Sequence, residues 1–394
     1  MKKKLCFVIQ RYGSEILGGA EGYTKTYVEH LKDIFDIEIA TTTALDYSTW
    51  GNYYPAGKSV VDGITVHRFP VKAEKNMQDF TKLCNEVLTK ASDISLEKSY
   101  NWVTEQGPFC PDLPEFLSEN CDKFDLFIFF TYLYYPAVFG IKEVAEKSIL
   151  VPFCHDEAPV YLECFQGLFQ AAKGIIYNTE EERDFAQRHF SIEKTPSILT
   201  GIGLDIPPID GVSDVRQKFN LTKPYMIYMG RIDTGKGCNE LFKYFENYKN
   251  SHNIDLDLVL IGNEVMEIPV RDDVFSLGFV SDNDKYSLLK YAELLVLPSH
   301  FESLSIVVLE AFAFKKPVLV SGHCAVLKGH CTKSNGGLYF YGSEDFADCL
   351  DLLIENPNLR DAMGKNGDNY VNERYQWDII LKKMSEFVEK MCEI

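Results

Sequence analysis

Two glutamates eight positions apart, Glu302 and Glu310, are the residues of this chain whose spacing first suggests chemistry. They lie in the stretch Leu297–Pro317. The run Leu294–Leu297 reads as a strand that ends at Pro298, Ser299–Glu302 as a loop, and Ser303 as the N-cap of a helix running to about Phe314. At 1.5 Å per residue the two carboxylates stand roughly 10–12 Å apart along the helix axis. That is the span from a sugar ring, across a diphosphate, to a ribose. The backbone N–H groups of Ser303, Leu304 and Ser305 have no helical partner in this arrangement and could receive a phosphate between the carboxylates. The plainer reading makes Glu302 a helix cap and Glu310 a solvated residue. Against it, Glu310 falls within the apolar run Ile306–Ala313, where a carboxylate needs a reason.

Three further clusters carry charge or close backbone approach. In Met226–Gly237 a strand ends at Gly230, and Arg231 and Lys236 flank the turn into the next helix. Two cations among glycines suit a diphosphate, Arg231 by paired hydrogen bonds and Lys236 as a point charge. The G-x-x-x-x-G-K-[ST] order of a Walker loop is absent. Leu17-Gly18-Gly19-Ala20-Glu21 follows the first strand and opens a helix, a place where backbone amides meet anions, although taken alone a simple tight turn explains it better. At Pro152-Phe-Cys-His155-Asp156-Glu157 a histidine ends a strand with two carboxylates beside it, either of which could orient the ring. Asp255-Leu-Asp257 opens a buried strand and reads as punctuation. His323, Cys324, His330 and Cys331 are poorly spaced for tetrahedral ligation by one loop, so no metal site is expected.

These clusters need elements to position them. At 394 residues the chain is longer than one hydrophobic core usually serves, which predicts two domains of roughly 150–200 residues. Leu5–Gln10, Ile37–Thr41, Leu126–Phe130, Ile149–Phe153 and Gly174–Tyr177 read as buried parallel strands, with helices such as Glu21–Leu31 and Glu180–His189 between them. Prolines 196, 207, 208 and 224 mark a linker. A second series follows: Tyr225–Met229, Leu256–Ile261, Leu294–Pro298, Pro317–Ser321 and Leu338–Phe340. Strand–helix alternation of this kind builds α/β sheets covered on both faces, with ligands at the strand C-terminal ends. Asp378–Val388 is a last amphipathic helix.

Composition narrows the classes. Net charge is −18 and both halves are acidic, which argues against nucleic acid or an anionic membrane as an extended partner. The 11 cysteines include no C-x-x-C pair and read as free thiols of a reducing compartment. The longest apolar stretch, Leu126–Ile141, falls short of the ~20 residues of a membrane span and reads as strand, loop and helix start.

The four clusters, in this order, resemble the retaining glycosyltransferases of family 4. The likeness is most specific in Pro298-Ser-His-Phe-Glu-Ser-Leu-Ser-Ile-Val-Val-Leu-Glu-Ala. The resemblance implies the GT-B fold: two Rossmann-like doubly wound parallel-sheet domains facing across a cleft. Residues 1–205 plus 377–394 would form the acceptor side and residues 206–376 the nucleotide-sugar side. It also implies roles. His155, Arg231, Lys236 and Glu302 would be catalytic, with His155 and Glu302 on the transferred sugar and the two cations on the diphosphate. Gly18, Gly19, Gly230, Ser303, Leu304 and Ser305 would lie around the donor, Glu310 on its ribose, and backbone at Phe279 and Val280 on its base. Two departures stand out: Lys315 replaces a frequent glycine after the helix, which must then end without an easy left-handed cap, and Ser305 replaces a frequent glycine or proline.

The implied function is a retaining, metal-independent transfer of a hexose from a nucleoside-diphosphate sugar to a hydroxyl of a glycan or lipid-linked acceptor. The segments Arg11–Glu15 and His323–Cys331 resemble enzymes of bacterial surface polysaccharide biosynthesis. No cofactor is expected. The expected setting is cytoplasmic, at most in weak peripheral contact with the inner face of the membrane. The competing reading is a non-catalytic GT-B subunit that binds nucleotide sugars or acts as a scaffold. For the acceptor, the aromatic loop Tyr47, Trp50, Tyr53 and Tyr54 either stacks on a sugar or packs internally.

Overall fold

The computed structural model describes residues 2–16 and 18–393, so Leu17 of the glycine turn lies outside the described residues. The chain divides into two compact units, Met1–Ile202 with Trp377–Ile394, and Gly203–Gln376. The division falls at Ile202/Gly203, a little ahead of the expected position 205.

Among the described residues the first unit holds eight strands: β1 (Lys4–Val8), β2 (Asp36–Thr42), β3 (Gly57–Val61), β4 (Ile64–Phe69), β5 (Leu126–Phe130), β6 (Ser148–Val151), β7 (Gly174–Tyr177) and β8 (Ser197–Leu199). Their order is β3-β4-β2-β1-β5-β6-β7-β8, parallel except for the β3–β4 hairpin. β5 and β7 are buried at every position, which is why each reads in the sequence as an unbroken apolar run. β3 is an exposed edge strand and gives no such signal. The final helix, Trp377–Glu393, buries Ile380, Met384, Phe387, Val388 and Met391 on one face within this unit. Its Trp377 ring stacks on His30 at 3.7 Å and meets Tyr27 edge-on at 5.7 Å.

The second unit holds β9 (Tyr225–Met229), β10 (Asp257–Ile261), β11 (Val274–Ser276), β12 (Leu294–Leu297), β13 (Val318–Ser321) and β14 (Gly337–Phe340). The order β11-β10-β9-β12-β13-β14 is parallel throughout. The direction of strand addition reverses between β9 and β12. At such a switch point the loops leaving neighbouring strands part to opposite faces and open a crevice at the strand C-terminal ends.

Two local readings of the sequence need correction. The helix after β12 spans Ile306–Ala313, so it begins later than an N-cap at Ser303 predicts. Its N-cap is Ser305, in left-handed backbone at φ 64° and ψ 74°. Its far end does carry a left-handed cap, because Lys315 itself adopts φ 57°. The Lys315 amide donates to Phe312 O at 2.8 Å and the Lys316 amide to Ala311 O at 2.8 Å, the two bonds of a Schellman motif. The helix Pro357–Arg374 packs here, and any side chain at Gly364 would overlap the Lys315 carbonyl oxygen.

Candidate functional site

The loops leaving four adjacent strands of the second unit hold most of the residues singled out in the sequence. Gly230 and Arg231 follow β9, Gly262 follows β10, Phe279 and Val280 follow β11, and Glu302 follows β12. Across the switch point, Lys236 Nζ donates to Glu302 Oε1 at 2.7 Å, with the two side chains 30% and 15% exposed. This pairing joins residues 66 positions apart.

A residue the sequence reading passed over organises that loop. Asp233, between the two cations, takes the Lys236 backbone N–H on Oδ1 at 2.8 Å and the Arg231 guanidinium on Oδ2. It caps the short turn Thr234–Lys236 as an aspartate N-cap does. Gly237 then turns left-handed at φ 75°, and a Cβ there would stand 2.6 Å from the Pro298 carbonyl oxygen. Only glycine lets the β9 loop come this close to the end of β12, and that approach lets Lys236 reach Glu302.

Glu310 has the partner its apolar surroundings demand. It is 6% exposed, and its Oε1 accepts from Lys285 Nζ at 2.9 Å and from the Tyr286 hydroxyl at 3.1 Å. Burial works against the Lys285 ammonium, but the nearby Glu310 carboxylate overrides it and holds the lysine more firmly protonated than usual. Burial and then the same carboxylate push the Tyr286 hydroxyl up. Lys285 and Tyr286 lie in the helix Asp282–Tyr291, 25 and 24 positions from Glu310, with no sequence cue linking them.

Between the glutamates, Leu304 is buried and Ser303 half-buried, while the Ser305 hydroxyl is buried without a hydrogen-bond partner. The base-side residues divide sharply. Phe279 is 70% exposed and Val280 half-buried.

In the first unit, Gly18 is the N-cap of the helix Gly19–Leu31, and a side chain there would overlap the Glu21 carboxylate. Glu21 Oε1 accepts from Gln10 Nε2 at 3.0 Å and from Arg11 Nε at 2.9 Å, making a buried ion pair under the turn. Gly18 thus has an internal reason to be glycine, whereas Gly19 faces open space. His155 lies beyond β6 with Nδ1 3.5 Å from Glu157 Oε1, which also accepts from Tyr132 at 2.7 Å. Of the two flanking carboxylates, Glu157 is therefore the one beside the ring; Asp156 takes the Tyr161 hydroxyl. The loop is pinned from beneath by Glu182, which accepts the Cys154 and Asn178 amides at 2.9 and 2.7 Å. Burial pushes the Glu182 carboxyl up to about 8, against those amides, which favour its charged form. In the aromatic loop Trp50 is buried and donates to Gln106 O, and Tyr54 donates to Glu15, while Tyr47 and Tyr53 stay exposed.

Among the described residues there is no group of three or more His, Cys, Asp or Glu able to hold a metal ion, and no helix long and apolar enough to cross a membrane. Asp257 opens β10, a strand buried at every position, and is itself buried.

Two doubly wound α/β units in one chain, the second switching direction at its second-unit site, define a protein of the GT-B fold. Solved structures bear this out. Sucrose-phosphate synthase from Thermosynechococcus elongatus aligns over 99% of both chains with a TM-score of 0.72 at 16% identity. Anabaena HepE, in complex with UDP and glucose, aligns over 98% of this chain and all of its own with a TM-score of 0.68 at 15% identity. Within that fold, residues 213–370 match the family model described as Glycosyl transferases group 1. An uncharacterized glycosyltransferase of Methanocaldococcus jannaschii is 29% identical over 168 residues, 40% of this chain and 43% of its own length. Across the curated relatives the shared segment spans 33–63% of their length.

Proposed function

We propose that this chain is a retaining hexosyltransferase that takes its sugar from a nucleoside diphosphate and needs no metal. The acceptor is a hydroxyl of a glycan or lipid-linked saccharide, and the setting is surface polysaccharide assembly on the cytoplasmic side. The observation that carries the reading is the Lys236–Glu302 pair at the β9/β12 switch point, with Arg231 on the same loop and an exposed Phe279 on the same sheet edge. The group 1 match over residues 213–370 and the likeness to a UDP-bound structure support it.

The hard step in such a reaction is departure of a dianionic diphosphate from the anomeric carbon. Arg231, Lys236 and the turn before Ile306 would stabilise the charge developing there, and fixed groups of this kind contribute ~3–4 kcal/mol each in other enzymes. Both cations are held by carboxylates, Arg231 by Asp233 and Lys236 by Glu302. A diphosphate would therefore meet cations already in place, with Glu302 released to the sugar hydroxyls. Glu310, through the oxygen not committed to Lys285 and Tyr286, would take the ribose. Phe279 and Val280 would flank the base. The two exposed tyrosines, Tyr47 and Tyr53, are the aromatic surface that an acceptor sugar would use.

The test is a thermal-shift screen with UDP, GDP, ADP and their hexose conjugates, followed by turnover with the stabilising donor. A ligand at 100 times its Kd adds about 2.7 kcal/mol, a shift readily seen. Lys236→Ala and Glu302→Ala should each cut turnover by about 100-fold or more. Full turnover in both variants overturns the assignment, and donor binding without transfer to any acceptor favours the scaffold reading.

A further inference from the structure

The helix Ala325–Ser334 carries a buried histidine that the proposed mechanism leaves unused. His330 is 0% exposed, with Nε2 2.7 Å from Leu304 O and Nδ1 3.2 Å from the Tyr370 hydroxyl. A carbonyl only accepts, so Nε2 must carry the proton, and Nδ1 of the neutral ring must then accept from Tyr370. The Tyr370 hydroxyl in turn stands 3.4 Å from that of Tyr375. The bonds form one directed path, from Tyr375 to Tyr370 to His330 to the Leu304 carbonyl.

The segment so held is the one from Glu302 to Ser305. It contains a buried apolar side chain, Leu304, and a serine in left-handed backbone whose hydroxyl finds no partner. Left-handed backbone at a residue other than glycine costs free energy and persists only where its surroundings impose it. The path also begins at a defined place in the chain. Tyr375 lies one residue before Gln376, where the second unit ends, and Trp377 begins the helix belonging to the first.

We infer that His330 is a positioning residue for the donor site: its bond to Leu304 O fixes the Glu302–Ser305 turn in the shape that receives the diphosphate, with Tyr370 and Tyr375 holding the tautomer that makes that bond. This rests on the donor-site reading given above. It assigns the histidine a place behind the turn rather than contact with the ligand, so kcat and acceptor KM should move less than donor affinity.

Three variants test it, with UDP, GDP and ADP binding measured by titration calorimetry and amide exchange followed by mass spectrometry. His330→Leu removes both hydrogen bonds and should weaken the preferred nucleotide roughly tenfold, the size of one lost hydrogen bond, while exchange speeds up across residues 302–308. His330→Gln keeps a terminal N–H for Leu304 O and should restore affinity to within about threefold. Tyr370→Phe preserves packing but leaves Nδ1 without its donor, and should fall between the two. Wild-type affinity and wild-type exchange in His330→Leu and in Tyr370→Phe overturn the inference. If His330→Leu does not fold, Tyr370→Phe decides. If the wild-type chain binds none of the three nucleotides, the donor-site reading fails on its own, and the exchange measurement still judges whether His330 shapes the turn.

Discussion

Replacing Lys315 by glycine should stabilise the protein, although it removes an ion pair. Lys315 sits at φ 57° as the left-handed residue of a Schellman cap, where an L side chain costs about 1–2 kcal/mol that glycine does not. Two terms oppose the gain. Glycine adds about 0.4–1 kcal/mol of freedom to the unfolded chain. The ion pair to Asp368, 3.7 Å long with the lysine half exposed, is worth at most a few tenths. The balance for Lys315→Gly is about +0.5 kcal/mol. Lys315→Ala keeps the left-handed strain and loses the ion pair, so it should fall slightly below wild type. The decisive quantity is the difference between the two variants, about 1 kcal/mol in favour of glycine, or roughly 2–4 °C in Tm for a unit of this size. Scanning calorimetry on the three proteins at one pH measures it. An alanine variant as stable as the glycine variant would refute the reasoning, because it would mean that backbone strain at this position does no more than offset the freedom glycine adds to the unfolded chain.

Gly237→Ala should cost about 2 kcal/mol or more, since its Cβ would press on a backbone oxygen that cannot rotate away, and it should weaken nucleotide binding by moving Lys236; unchanged denaturant midpoints and unchanged calorimetric affinity contradict this. Burial lowers His330 from 6.5 to about 4, so the folded state resists a proton that the unfolded state accepts. Its contribution is complete above pH 6.5 and is lost as pH falls toward 4, about 3 kcal/mol in all and about 2 kcal/mol by pH 5. Urea midpoints between pH 7 and 5 should therefore fall further in wild type than in His330→Gln, and parallel curves would show that this histidine is not the neutral group of the native state.

The strands were legible in the sequence wherever burial on both faces leaves an unbroken apolar run, as in Leu126–Phe130, Gly174–Tyr177 and Tyr225–Met229. Where burial is partial the signal fades. β3 is exposed, and β8 and β11 are three-residue edge strands of intermediate burial, so none of them rises above loop in a reading of hydrophobic runs. The site follows a similar rule. Arg231, Lys236, Glu302 and Glu310 could be picked out as charged residues in improbable places, because a charge beside glycines or inside an apolar helix is anomalous locally. Their partners could not. Lys285 and Tyr286 occupy an ordinary polar helix, and His330 sits in a segment whose His and Cys spacing suits no metal site; only the register of the second sheet brings them to Glu310 and Leu304. Asp233 is the exception, since an aspartate three residues before Lys236 carries the N-cap spacing and could have been found.

The helix Ile306–Ala313 shows why such partners matter more than its own sequence. It has eight residues, too few to be stable alone. It is bounded on both sides by residues other than glycine in left-handed backbone, Ser305 and Lys315. Neither end is favoured by local propensity, so each must be imposed from outside. At the C-terminal end the Schellman bonds and the close approach of Gly364 do so. At the N-terminal end there is no side-chain cap, and the Ser305 hydroxyl is unpaired. The contact that holds the turn comes instead from the helix Ala325–Ser334, through His330 to Leu304. A turn whose geometry is set by a neighbouring helix rather than by its own residues can carry serine where glycine would otherwise be required. It also follows that substitutions in Ala325–Ser334, remote from any ligand in sequence, should alter the site more than conservative changes within Ile306–Ala313 itself.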